Sequence, residues 1–201
     1  EKDMPLDMFL ESGEDIDTCM NNLQNFYSWC SNRLLSLDRV YAKAILNACG
    51  LTQSNNIRSR AYAALQYHAL TLTDFYWVQS DKECLNWEQI NLFENSLNNA
   101  VAIALTGKPL TVQNAMLLAP DCSTAGVAPK AWIREGDSVF LLKGNVGDSV
   151  QKEIEASQIL AALGLLCVAY TRFVFQGTVT SRCAIFTDKH TALVTAEQYS
   201  F

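Results

Sequence analysis

Two apolar runs around one tight turn constrain this chain most. Ala131-Trp132-Ile133-Arg134 and Ser138-Val139-Phe140-Leu141-Leu142-Lys143 flank Glu135-Gly136-Asp137. Aromatic and β-branched residues on both sides of a glycine-bearing turn read as a β-hairpin. Residues 149–163 then form the clearest helix of the second half, with Ile154, Ser157 or Gln158, and Ala161 and Ala162 as its inner stripe. Beyond it, residues 166–175, 182–187 and 191–195 read as three strands. The second half is therefore expected to be a small sheet carrying one long helix.

The first half has a different period. Residues 17–36 read as an amphipathic helix capped by Asp17, with Met20, Leu23, Phe26 or Tyr27, Cys30 and Leu34 on one stripe. A second helix is expected over 38–49, with Val40, Tyr41, Ala44, Ile45 and Ala48 on one side and Gly50 as its stop. Residues 58–70 are alanine-rich and compatible with a third. Residues 71–78 shift to β-branched and aromatic side chains, which suits a strand or extended segment. Short helices are expected at 87–93 and 98–105. The fold class is α+β, with a helical accessory region over 1–70 and a sheet-bearing lobe over 71–201.

Bulk properties exclude several functions. Fifteen basic residues against twenty-one acidic give a net charge of −6, which argues against a nucleic-acid surface. Part of that acidity is a leading segment with seven acidic residues and one lysine in its first seventeen positions. Seven cysteines, scattered and without a C-x-x-C pair, fit reduced thiols in a cytoplasmic protein better than a disulfide framework. His68 and His190 lack cysteine or aspartate partners at ligand spacing, so no metal site is expected. The apolar run 160–168 is too short to span a bilayer. Glu1 is no initiator, so a longer or processed chain is expected.

The chemistry gathers around the hairpin. Ser123, Thr124, Ala125, Gly126, Val127 and Ala128 make a loop of mostly small residues, followed by Lys130. Such a loop lets backbone N–H groups approach a phosphate. Lys143 closes the second strand, and Glu153 stands ten positions later in the first turns of the long helix. Taken singly, a strand-end lysine is an ordinary snorkelling residue and a first-turn glutamate an ordinary solvated one. Together, a strand lysine can reach phosphate oxygens while a helix carboxylate holds it in place. Val127, Val139 and Leu141 are candidates to wall an adenine. Gly144-Asn145-Val146-Gly147 matches the G-x-x-G of an RNA-binding loop, but its acidic surroundings speak against that use.

In this order and spacing the residues resemble the HipA-like serine/threonine kinases, particularly a branch from Gram-positive bacteria and their mobile elements. Ser123-x-Ala125-Gly126-x-x-x-Lys130 is similar to that family's phosphate loop, 139–143 to its ATP-lysine strand, and Lys152-Glu153-Ile154-Glu155-Ala156-Ser157 to the helix bearing its glutamate. Asp74-Phe75-Tyr76-Trp77-Val78 resembles its D-x-Y-W segment, and Cys183-Ala184-Ile185-Phe186 falls where its hinge would lie. The resemblance covers 73–194 best and is poor before 56.

The resemblance implies ATP binding with Mg²⁺, Lys143 on the phosphates, Glu153 orienting Lys143, and Ile185 and Phe186 offering backbone groups to the adenine. Ala184 replaces an acidic residue common in related hinges. The resemblance also implies that Ser123 can be phosphorylated, and that a protein substrate or an antitoxin-like partner exists. The family's catalytic and metal-binding aspartates lie in a C-terminal lobe beyond the matched region, so no catalytic residue is expected in these 201. The competing expectation is a non-catalytic interaction module associated with a toxin–antitoxin pair or mobile element.

Overall fold

The computed structural model describes residues 4–95, 97, 105–107 and 119–196. Helix α1 spans Ile16–Asn32. Its cap is Asp15 rather than Asp17: the Asp15 carboxylate accepts the Thr18 N–H at 2.9 Å and the Thr18 hydroxyl at 2.6 Å. Asp17 falls two residues further in, within the first turn, where a carboxylate suits the positive end of the helix. The expected apolar stripe holds only towards the C-terminal end. Met20 is 59% exposed and Leu23 is also exposed, whereas Trp29, Cys30 and Leu34 are buried.

Helix α2 (Ala42–Ala48) is shorter than the 38–49 expected and buries Ala42, Ile45 and Leu46. Tyr41, placed on its inner side by the sequence pattern, is exposed. Gly50 ends the helix at φ +68°, which a side chain would strain. Helix α3 (Ile57–Leu65) is capped by Asn56 and buries Ala61, Ala63 and Ala64. Small side chains there let α3 lie close against α1. Tyr67, fully buried, follows it and donates its hydroxyl to the Arg33 carbonyl at 3.1 Å.

Residues 71–78 form no strand, and the chain bends at 72, 73 and 75. Side chains satisfy their backbone instead: Thr71 accepts from the Thr73 N–H and Asp74 from the Tyr76 N–H. Helix α4 is a single turn, Trp87–Ile90, closed by a capping box between Asn86 and Gln89. The helix expected at 98–105 lies almost wholly outside the described residues. Helix α5 (Ala119–Ser123) then leads into the small-residue loop.

The sheet has four antiparallel strands in the order β1-β2-β4-β3. Strands β1 (Lys130–Glu135) and β2 (Ser138–Gly144) form the expected hairpin, with Gly136 at φ +57° in its two-residue turn. Helix α6 (Ser149–Ala162) crosses over and packs on β3 and β4. It buries Val150, Ile154 and Ser157, while the expected inner residues Ala161 and Ala162 are exposed. Strand β3 (Thr171–Phe175) starts later than expected and β4 (Thr178–Ala184) earlier. Gln176 and Gly177, both at positive φ, turn between them; Gln is an uncommon residue for that conformation, so the hairpin carried no signal. Residues 191–195 form no strand, and the Leu193 N–H donates to the Thr73 carbonyl.

A single apolar cluster runs from Trp29 and Ile45 through Tyr67 and Leu92 to Ala131 and Leu142, so the helices and the sheet share a core. Arginines tie its irregular parts. Arg60 caps the end of α1 through the Ser31 and Leu34 carbonyls. Arg134 gathers the Leu92, Phe93 and Asn95 carbonyls. Arg39, buried, joins the Asp121, Thr124 and Lys130 carbonyls. Each guanidinium satisfies carbonyls that would otherwise be desolvated without a partner. Among the described residues, no helix is long and apolar enough to cross a membrane.

Candidate functional site

The register of the sheet assembles the site. Lys130 pairs with Lys143 across β1 and β2, Lys143 with Ser181 across β2 and β4, and Ser181 with Arg172 across β4 and β3. Directly paired residues of a pleated sheet point to the same face. One transverse row therefore carries Lys130, Lys143, Ser181 and Arg172. Helix α6 covers this face and lowers Glu153 onto the middle of the row.

There the Lys143 ammonium lies 2.8 Å from Glu153 Oε1, with the two side chains 19% and 30% exposed. It also donates to the Tyr170 hydroxyl at 2.7 Å. The other carboxylate oxygen, Glu153 Oε2, accepts the hydroxyl of Ser181, which is fully buried. Burial pulls the Lys143 pKa down, but the bonds to Glu153 and Tyr170 outweigh it, and the ammonium stays above its ordinary range. Lys130 goes the other way: burial, then the charges of Lys143 and Arg39, hold its pKa below the usual value, with Glu153 opposing. The two lysines thus form a positive edge that, among the described residues, Glu153 partly neutralises.

The loop meets this edge at Lys130, whose ammonium folds back and donates to the Ala125 carbonyl at 2.5 Å. Gly126 sits beneath it at φ +91°; a Cβ there would lie 2.2 Å from the Lys130 nitrogen. Thr124 is tied down on both sides, donating to the Pro120 carbonyl and accepting the Trp132 indole N–H. The Val127 carbonyl accepts the Val40 N–H at 2.9 Å, and Ala128 is half-buried. Ser123 belongs to α5, where its hydroxyl reaches the Pro120 carbonyl, and it lines clefts shared with Asn32 and the helical half. Lys130, Lys143 and Glu153 are thus brought together, with Ala125 and Gly126 attached through Lys130; Ser123, and with it Ala125 and Gly126, lines the cleft on the helical side.

The hinge residues lie at the opposite end of β2. The Ile185 N–H donates to the Val139 carbonyl at 2.9 Å, and Phe186 is exposed. Four residues of strand, about 13 Å, separate Val139 from Lys143. A cleft of about 500 Å³ at that end is lined by Val139, Ile185 and Phe93, among others. Val139 is buried, Leu141 is half-buried, and Val127 is 60% exposed, so Val127 walls nothing here.

Three site residues gave no sequence signal: Tyr170, Ser181 and Arg172. Tyr170 falls within the strand expected at 166–175, although it precedes β3. Ser181 lay in a stretch read as no element at all. No group of three or more His, Cys, Asp or Glu converges as a metal site among the described residues. No protein-family model, curated protein or solved structure matches this chain.

Proposed function

We propose that this chain carries the ATP-binding region of a cytoplasmic HipA-like serine/threonine kinase. One observation carries the reading: a strand lysine and a helix glutamate joined at 2.8 Å on one face of a four-stranded antiparallel sheet. An ammonium held by a carboxylate keeps its charge and its place, which a phosphate-binding lysine needs. The residues fit a polyphosphate at one edge. Lys143 and Lys130 supply charge there, and Gly126 allows close backbone approach. The purine would lie towards Val139 and Ile185, about the length of the strand away.

ATP supplies the phosphoryl group in such chemistry. What this chain does is bind and orient: Glu153 holds Lys143, Lys143 faces the phosphates, and the Lys130 ammonium must leave the Ala125 carbonyl to join it. Transfer to a protein serine or threonine, or to the protein itself, calls for a catalytic aspartate and Mg²⁺ ligands in a further lobe. A protein substrate or antitoxin-like partner belongs to the same proposal. Calorimetric titration of ATP, with and without Mg²⁺, tests it. Weak binding that changes little with Mg²⁺ and disappears in Lys143→Met is expected. Equal heats from both proteins would overturn the reading, and tight Mg²⁺-dependent binding would overturn its division into two half-sites.

The second reading, a non-catalytic interaction module, draws on the apolar run Ile159, Leu163, Leu165 and Leu166, all exposed at the end of α6. Surface patches of this kind mark contact sites. Absence of nucleotide binding, together with concentration-dependent self-association, would favour it.

A further inference from the structure

The polar network around Lys143 extends beyond the pair that carries the proposed function. A lysine ammonium has three N–H donors on a flexible stem. One goes to Glu153 Oε1 and one to the Tyr170 hydroxyl. Tyr170 is itself fixed to the helix: its N–H donates to the Ser157 hydroxyl at 3.2 Å, and that hydroxyl donates to the Ile154 carbonyl at 2.8 Å. Ser157 stands one turn beyond Glu153, so helix α6 grips Lys143 twice, directly through Glu153 and indirectly through Tyr170. On the sheet side, Ser181 takes Glu153 Oε2, so the carboxylate cannot rotate about its axis without losing a buried bond.

We infer that Tyr170 and Ser181 are positioning residues for Lys143: Ser181 fixes the Glu153 carboxylate, Tyr170 takes the second ammonium N–H, and the third is left for an anionic oxygen. This rests on the reading of Lys143 as a phosphate-binding lysine. Neither residue needs to touch nucleotide. Their effect is to replace a mobile point charge by a directed donor, which lowers the ordering cost of binding.

The test separates the two claims by using two readouts on the full chain. The first needs no ligand: the ¹H–¹⁵N signal of the Lys143 ε-ammonium, assigned by its loss in Lys143→Met. Hydrogen bonding and partial burial slow its proton exchange, so it is expected to be visible in the parent protein. It should broaden beyond detection in Ser181→Ala and Tyr170→Phe, and return in Ser181→Thr. The second readout is ATP affinity, expected to fall about three- to tenfold in Ser181→Ala and Tyr170→Phe and to recover in Ser181→Thr. Tyr170→Phe keeps the ring and its packing, so it remains informative if Ser181→Ala fails to fold. An ammonium signal absent from the parent protein, or unchanged in Tyr170→Phe, overturns the positioning role. A signal that behaves as expected in a protein that binds no ATP supports the positioning role and overturns the nucleotide reading.

Discussion

Two ion pairs, one joining the end of α1 to the segment at 71–78 and one on the sheet, are built to opposite ends. At the end of α1, Arg33 meets Asp74 in a fork, Nη1 to Oδ2 at 2.9 Å and Nη2 to Oδ1 at 2.6 Å. It also donates to the Ala69 and Tyr76 carbonyls, and its Cζ lies 4.3 Å from the centre of the Trp29 ring. The side chains are 8% and 14% exposed. Lys143 and Glu153 are about twice as exposed, and the ammonium gives two of its three N–H groups, to Glu153 and Tyr170. A guanidinium with its fork filled is a fastener. An ammonium held from two sides and partly open to water is suited to a ligand.

Breaking each pair should show the difference. Asp74→Ala leaves the Arg33 charge buried without its carboxylate, which costs about 3–5 kcal/mol. Urea denaturation should show a midpoint far below that of the parent protein. Replacing both members by apolar residues should recover only part of this loss, because Arg33 also holds the Ala69 and Tyr76 carbonyls. Full recovery would mean that the pair adds nothing beyond filling space.

The second comparison concerns acid. Asp121 precedes the loop, buried, with its carboxylate accepting the Trp132 N–H at 3.3 Å near the Arg39 guanidinium. Burial raises its pKa from 3.8 to about 7, against the pull of Arg39 and the Trp132 N–H. The folded protein therefore binds a proton that the unfolded chain releases above pH 3.8. Stability from this group is full below about pH 4 and declines as pH rises to about 7. Asp121→Asn should remove that decline and leave the protein a few kcal/mol more stable near pH 8 relative to the parent. Chemical denaturation across pH 4–8 decides it, and an unchanged slope would show that Asp121 is ionised throughout.

The sequence made the open pair visible and hid the closed one, for a physical reason. Lys143 and Glu153 lie ten positions apart within a hairpin-then-helix pattern, so local geometry nearly suffices to bring them together. In the sequence Asp74 stands out only as part of a D-x-Y-W segment, and Arg33 carries no signal. Forty-one positions separate them, and a buried arginine looks like a surface arginine until its partners are known. Arg39, Arg60 and Arg134 were missed for the same cause. Tyr170 and Ser181 depend on the exact register of β3 and β4, where a three- to five-residue displacement of strand ends is enough to conceal them. The first hairpin and α6 announced themselves through glycine and length; the second hairpin turned on Gln176 and did not.

A smaller effect is expected in the loop that adjoins the open site. Gly126→Ala places a side chain at φ +91° and against the Lys130 ammonium. The backbone strain costs about 1–2 kcal/mol, while Lys130, the flexible end of the contact, can swing away from the Ala125 carbonyl. The expected result is a modest fall in the thermal midpoint with a Lys130 more reactive towards amine acylation, read by peptide mass spectrometry. A protein with unchanged Lys130 reactivity would show that the ammonium does not rest on the loop.

The smallest effect on folding should come from the residue at the centre of the site. Lys143→Met keeps most of the stem that packs against the sheet and removes an ion pair that is partly solvated, which is worth less than about 1 kcal/mol. Glu153 retains Ser181 and gains water. The denaturation midpoint should move little beside the Asp74→Ala shift, even though nucleotide binding is expected to vanish. A loss of stability comparable to that of Asp74→Ala would make Lys143 a second fastener, and the distinction between the two ion pairs would fall.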